Sequence, residues 1–121
     1  AVWSIEATLP IYADLLGLRP DAHGIAPIPG TQARLAVLPL GDGAIELLEP
    51  TEKDSPLGRY LERRGEGFYS LSVQVNNLQS ALKNLQSKGI RPFPGETPHN
   101  AWLHPRDTHG MPIELTENSP Q

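Results

Sequence analysis

Gly17-Leu18-Arg19-Pro20 recurs as Gly89-Ile90-Arg91-Pro92, displaced by 72 positions (89 − 17). Downstream, Ile45-Glu46-Leu47-Leu48-Glu49 recurs as Ile113-Glu114-Leu115-Thr116-Glu117, displaced by 68 (113 − 45). Upstream, Ile5-Glu6-Ala7-Thr8-Leu9 is matched by Leu78-Gln79-Ser80-Ala81-Leu82, displaced by 73 (78 − 5). Three matches in one order, at nearly constant offset, indicate a duplicated supersecondary unit. This decides the fold, because each half must then carry the same elements in the same order.

In the second half Leu78, Leu82 and Leu85 form one apolar helical stripe. Asn76 or Asn77 can cap its start, Lys88 suits its last turn, and Gly89 supplies a left-handed stop. In the first half Ile5, Leu9, Tyr12 and Leu16 form the corresponding stripe between a Ser4 cap and Gly17. Pro10 conflicts with that helix, since an interior proline costs about 3 kcal/mol. A start at Thr8 or a kink would relieve the conflict.

Strands make up the rest of each half. Residues 33–40 and 43–49 flank the turn signal Gly41-Asp42-Gly43, and 100–104 and 111–117 flank a second turn at 107–110. A further strand at 67–75 comes before the second helix. Its first-half counterpart would begin ahead of residue 1, where only Ala1-Val2-Trp3 match Val73-Gln74-Val75. The first strand of module one is therefore expected to be largely missing from the chain. The expected class is α+β, with two βαβββ modules forming curved, mixed, four-stranded sheets around a cleft. Module one spans 1–50, a connecting segment 51–66 and module two 67–117, all within a single domain 1–121.

Composition narrows the function classes. Ten basic and fourteen acidic residues leave a net charge of −4, which argues against nucleic acid as a partner. The densest basic spot, Arg63-Arg64, lies between Glu62 and Glu66 and reads as a solvated helix end. The chain has no cysteine, which excludes disulfides and thiolate metal ligands and is compatible with a cytoplasmic location. No apolar run approaches the roughly 20 residues of a membrane span, so no membrane partner is expected.

Strand alternation sorts the side chains between faces. Leu71, Val73, Val75, Ile45, Leu47, Ile113 and Leu115 should face the helices. Glu46, Leu48, Phe68, Ser70, Ser72, Gln74, Glu114 and Thr116 are then left to line the cleft and touch a ligand. Glu46 and Glu114 stand at equivalent repeat positions, and converging carboxylates bind metals or move protons. Glu49 and Glu117 read as solvated edge residues. His99, His104 and His109 are spaced by five, which suits neither a helix face nor a strand face, so loop and hydrogen-bonding roles are expected rather than zinc.

The chain also resembles a known family. Leu40-Gly41-Asp42, Ile45-Glu46-Leu47-Leu48-Glu49-Pro50, Asp54-Ser55-Pro56-Leu57, Glu62-Arg63-Arg64-Gly65-Glu66-Gly67, Leu103-His104-Pro105-Arg106-Asp107 and Pro112-Ile113-Glu114-Leu115 carry the likeness. With these the chain resembles the vicinal oxygen chelate (glyoxalase/bleomycin resistance) superfamily, and within it methylmalonyl-CoA epimerase-like proteins. The resemblance implies a divalent metal (Co, Mn, Ni, Zn or Mg) held by four inward positions, which polarises a carbonyl for removal of an α-proton. Glu46 and Glu114 match two of the ligands. The family's Gly-x-His-His-Ile reads here Gly67-Phe68-Tyr69-Ser70-Leu71, so Ser70 replaces a ligand histidine, and the first-strand histidine lies outside the chain. No carboxylate stands in Arg34-Leu35-Ala36-Val37, where some epimerases carry a second base.

Two carboxylates without imidazole hold a transition metal poorly. The expectation is a small-molecule-binding protein with a degenerate metal site and no cofactor, an acyl-CoA being one ligand considered, assembled as a homodimer. The alternatives are an active metal-dependent epimerase or glyoxalase-like lyase with Glu114 as its catalytic carboxylate, and a partner-binding module.

Overall fold

Ser4 starts the first helix as its spacing suggests. Its Oγ accepts from Ala7 N (3.1 Å), and α1 runs over Ile5–Leu16 to Gly17, whose left-handed backbone (φ 67°) ends it. Pro10 neither delays the helix nor ends it. It lies on an exposed face, where water can serve the carbonyl that has lost its partner. Ile5 is fully buried with Leu9 and Tyr12 packed nearby, but Leu16 is 59% exposed, so the expected stripe fails in its last turn.

The computed structural model describes residues 1–117 as two units, one from Ala1 to Phe68 and one from Tyr69 onward. In the first, strands β1 (Ala26–Pro27), β2 (Ala33–Leu40) and β3 (Gly43–Pro50) form an antiparallel sheet in the order β1-β2-β3. Leu40 pairs with Gly43 across a two-residue turn, and Gly41 takes the positive φ (58°) that such turns need. This sheet has three strands, the fourth of the module being the one expected to be largely missing. Residues 1–3 contribute one ladder-like bond, Val2 N to Leu48 O (2.9 Å), at the place where Gln74 stands opposite Thr116 in the other unit. Helix α2 (Pro56–Arg64) occupies the segment read as a connection. Ser55 caps it, Pro56 sits in its first turn, and Leu57 and Leu61 are buried. Arg63 and Arg64 are exposed in its last turn, as a solvated helix end requires.

The second unit holds β4 (Leu71–Val75), α3 (Leu78–Ser87), β5 (Phe93–Pro94), β6 (Asn100–Leu103) and β7 (Ile113–Glu117). Its mixed sheet runs β4-β7-β6-β5, with β4 parallel to β7 and the other pairs antiparallel. Asn77 is the cap of α3, its Oδ1 accepting from Ser80 N (2.9 Å).

The duplication is visible in the cores. Ile5, Ala36, Leu38 and Leu47 are buried in one unit, and Leu78, Ala101, Leu103 and Leu115 take the matching places in the other. Two expectations for β4 need correction. The strand begins at Leu71 rather than 67, so Phe68 and Ser70 precede it. Of its apolar set Val75 packs into the core, whereas Leu71 (50% exposed) and Val73 (39%) do not. The reason is position: α3 packs on β7, and β4 is the sheet's end strand.

Candidate functional site

Alternation along β4, β6 and β7 sends Val75, Ala101, Leu103, Ile113 and Leu115 to the helix side of the second unit. Ser72, Gln74, Asn100, Trp102, Glu114 and Thr116 are left on the other face, with Phe93 opposite Trp102. Ser72 and Glu114 are register partners, and the Ser72 hydroxyl donates to Glu114 Oε1 at 2.6 Å. Asn100 Nδ2 donates to Glu114 Oε2 (2.9 Å) and to Glu96 Oε2 (2.7 Å), so one amide group joins two carboxylates. Its Oδ1 accepts from the backbone N–H (3.0 Å) and the hydroxyl (3.1 Å) of Thr97, which closes the loop between β5 and β6. Gly95 makes this possible, because a Cβ there would overlap the Asn100 side chain. Glu96 is held below its ordinary carboxyl range, chiefly by the Asn100 hydrogen bond, with its own backbone and the Trp102 indole adding to the effect.

Of the cleft residues read from the sequence, the structure joins Ser72 to Glu114 directly and places Gln74 and Thr116 beside them. Phe68 is 90% exposed and Ser70 half-buried, both ahead of the strand. Glu46 (exposed) and Leu48 (half-buried) lie on the face of β3 opposite Leu47 and Ile45 in the first unit. Asn100, Trp102 and Glu96 were not read as site residues. Buried Ala101 and Leu103 are the alternation signal that would have exposed the first two. Glu96 lies in a loop, where no periodicity speaks.

Glu49 is a correction. It is only 8% exposed, on the helix side, accepting from Ile5 N (2.7 Å) and from Arg34 Nε (2.7 Å), while Arg34 also reaches Glu6 (2.8 Å). Those guanidinium bonds help hold Glu6 below its ordinary range, after a bond to its own backbone. Glu117 repeats the device, accepting from Leu78 N at 3.3 Å, with His99 Nδ1 3.7 Å from its carboxylate. Each strand's last glutamate thus takes up a free N–H at the start of its helix. The histidines have loop roles: His104 Nδ1 accepts from Arg106 N (3.1 Å) over the 3₁₀ turn Pro105–Asp107. An open groove of about 650 Å³ on the helix side of the first unit is lined by Leu9, Pro10, Ala13, Leu18 and Arg19, among others.

Chemically, the face of the second unit is a set of acceptors with neutral donors attached. No histidine among the described residues stands at a strand position on this face, and carboxylates without imidazole hold a transition metal poorly. Among the described residues no group of three or more His, Cys, Asp or Glu side chains is placed to hold one. Each oxygen of Glu114 is already engaged by a neutral hydroxyl or amide.

A family model for the glyoxalase/bleomycin resistance protein/dioxygenase superfamily matches residues 1–118. This chain belongs to that superfamily. Among curated members, mouse mitochondrial methylmalonyl-CoA epimerase is 29% identical, over 97% of this chain and 68% of its own length. An uncharacterized protein of Bacillus subtilis, YqjC, is likewise 29% identical, over 97% and 86%. Among solved structures, a hypothetical protein of Bacillus halodurans superposes with a TM-score of 0.86 at 31% identity, covering 99% of this chain and 90% of that one. A Streptomyces coelicolor methylmalonyl-CoA epimerase variant, in complex with 2-nitronate-propionyl-CoA, gives 0.79 at 25%, covering 98% and 91%. The expected superfamily, the α+β class and the relation to methylmalonyl-CoA epimerases are thereby established. No helix among the described residues is long and apolar enough to cross a membrane.

Proposed function

We propose that this superfamily member binds an acyl-coenzyme A thioester on the polar face of its second unit, without a working divalent-metal centre. The observation that carries the reading is Glu114. Its oxygens are engaged by Ser72 and Asn100, while Ser70 stands where the resemblance calls for an imidazole. Neutral donors stabilise the carboxylate there without supplying the charge that would polarise a thioester carbonyl. The choice of ligand is supported by solved relatives whose structures hold 2-nitronate-propionyl-CoA or methylmalonyl-CoA.

Calorimetry with propionyl-CoA tests binding, and metal analysis of the purified protein tests the centre. Solvent deuterium uptake into methylmalonyl-CoA, after addition of cobalt or manganese, tests the chemistry. We expect binding, no stoichiometric metal and no useful exchange, with exchange arising only in Ser70→His when the first-strand histidine is also supplied. Ready exchange by the unmodified protein would establish the epimerase reading instead.

A two-fold homodimer is proposed alongside, supported by the apolar side chains of Ile11, Leu15 and Leu16 that α1 leaves exposed. A monomer by light scattering at micromolar concentration would refute it.

A further inference from the structure

The charge of the ligand face points to the kind of acyl group it takes. Ser72, Gln74, Asn100, Trp102, Glu114 and Thr116 occupy its strand positions, Phe93 flanks Trp102, and Glu96 reaches in from the loop. Among the described residues, no lysine or arginine holds a strand position on this face. Asn100 has two amide hydrogens, and the structure gives one partner to each: Glu114 at 2.9 Å and Glu96 at 2.7 Å. An amide orients two carboxylates without neutralising either.

We propose that Glu96 and Glu114, tied together through Asn100, make this face discriminate against acyl thioesters bearing a free carboxylate. In their place it takes thioesters whose acyl group is uncharged, and among these it prefers acyl groups that donate a hydrogen bond. This specificity rests on the acyl-thioester reading above, and it separates the chain from relatives named for a methylmalonyl substrate.

A ligand carboxylate placed here would meet two negative charges with no cation between them, the arrangement that sites use to reject a wrong partner. The Asn100 bond, which favours the ionised form of Glu96, keeps that charge in place at neutral pH. By contrast, each carboxylate oxygen retains acceptor capacity beyond the bonds described, so a hydroxyl or amide N–H on the acyl group can be received. Asn100 is thus a positioning residue. It sets the separation of the two charges, and its own position is set by Gly95 and Thr97.

The experiment is calorimetric titration of the full protein, near neutral pH, with propionyl-CoA, 3-hydroxypropionyl-CoA and methylmalonyl-CoA. The nucleotide part is constant, so differences report the acyl group. We expect methylmalonyl-CoA to bind at least about tenfold more weakly than propionyl-CoA, and the hydroxylated ester to bind more tightly than either. Glu96→Gln should narrow the gap, and adding Glu114→Gln should reduce it to about threefold or less. A methylmalonyl ester that binds the unmodified protein as tightly as the propionyl ester would overturn the proposal. So would a gap that Glu96→Gln, a change on an exposed loop, leaves unmoved. Failure of every CoA ester to bind would instead overturn the acyl-thioester reading, and this proposal with it.

Discussion

Asn100 does two jobs with one side chain, and they can be separated by substitution. Its oxygen closes the 95–100 loop through Thr97, and its nitrogen holds Glu96 and Glu114. Gly95 leaves the space the side chain needs. Gly95→Ala should therefore act mainly by displacing Asn100, costing about 1–3 kcal/mol through the bonds it breaks. Asn100→Ala removes the same bonds directly. If the two residues act through one contact, the double variant will cost little more than either single one in denaturant unfolding, a coupling of about 1 kcal/mol or more. Additive costs would show that Gly95 matters for some other reason.

At the scale of elements, each unit rests on four matched positions, one from the helix and three from the two strands of its hairpin. Leu38 and Leu103 hold the same place and are both buried. Leu71 belongs to the apolar set of β4 yet is half exposed at the end of its sheet. Leu103→Ala should then cost about 2–5 kcal/mol, as truncation in a packed core does, and Leu71→Ala less than about 1 kcal/mol. Equal costs in urea unfolding would mean that Leu71 is covered in solution, by a second copy or by further chain. The paired glutamates extend the same logic to the helix starts. Glu49 is buried and also bonded to Arg34, whereas Glu117 is more open and has a histidine nearby, so the first helix start is the more firmly held.

For the whole molecule, the acid limb of stability follows from Glu6 and Glu96. Both carboxyls are depressed in the folded state from an ordinary value of 4.5. A depressed carboxyl contributes stability that is fully present above its unfolded value and is lost as pH falls through the folded one. The unfolding midpoint should thus stay level from neutrality down to about pH 5.5 and fall below about pH 4.5. Replacing both residues by glutamine should flatten that fall and lower the neutral plateau by the same small amount, since both groups are exposed and solvent screens them. An unchanged acid slope, followed by thermal melts across the range, would assign acid sensitivity to other carboxyls.

Much of this was legible in the chain itself. The duplication was carried by local strings, and a string repeated in order has one economical structural meaning. It placed both helices, both hairpins and the core-side positions of Ile45, Leu47, Ile113 and Leu115, because the period of apolar residues is a property of the chain alone. It also put Ser72 and Glu114 on one face, where they are now hydrogen-bonded. Of helix α2 only the end, at Arg63-Arg64, is legible in the sequence; its start is not, since its nine residues carry few apolar positions and its cap, Ser55, stands out only within a family match. Tertiary structure alone decided that Leu71 and Val73 stay half exposed, because burial depends on which neighbour covers a strand and not on the strand's own pattern. It alone brought Arg34 to Glu49 and Glu6, and Asn100 to Glu96 and Glu114. Those contacts join residues from separate strands, helices and loops, and their distances follow from how the elements pack, which no periodicity records.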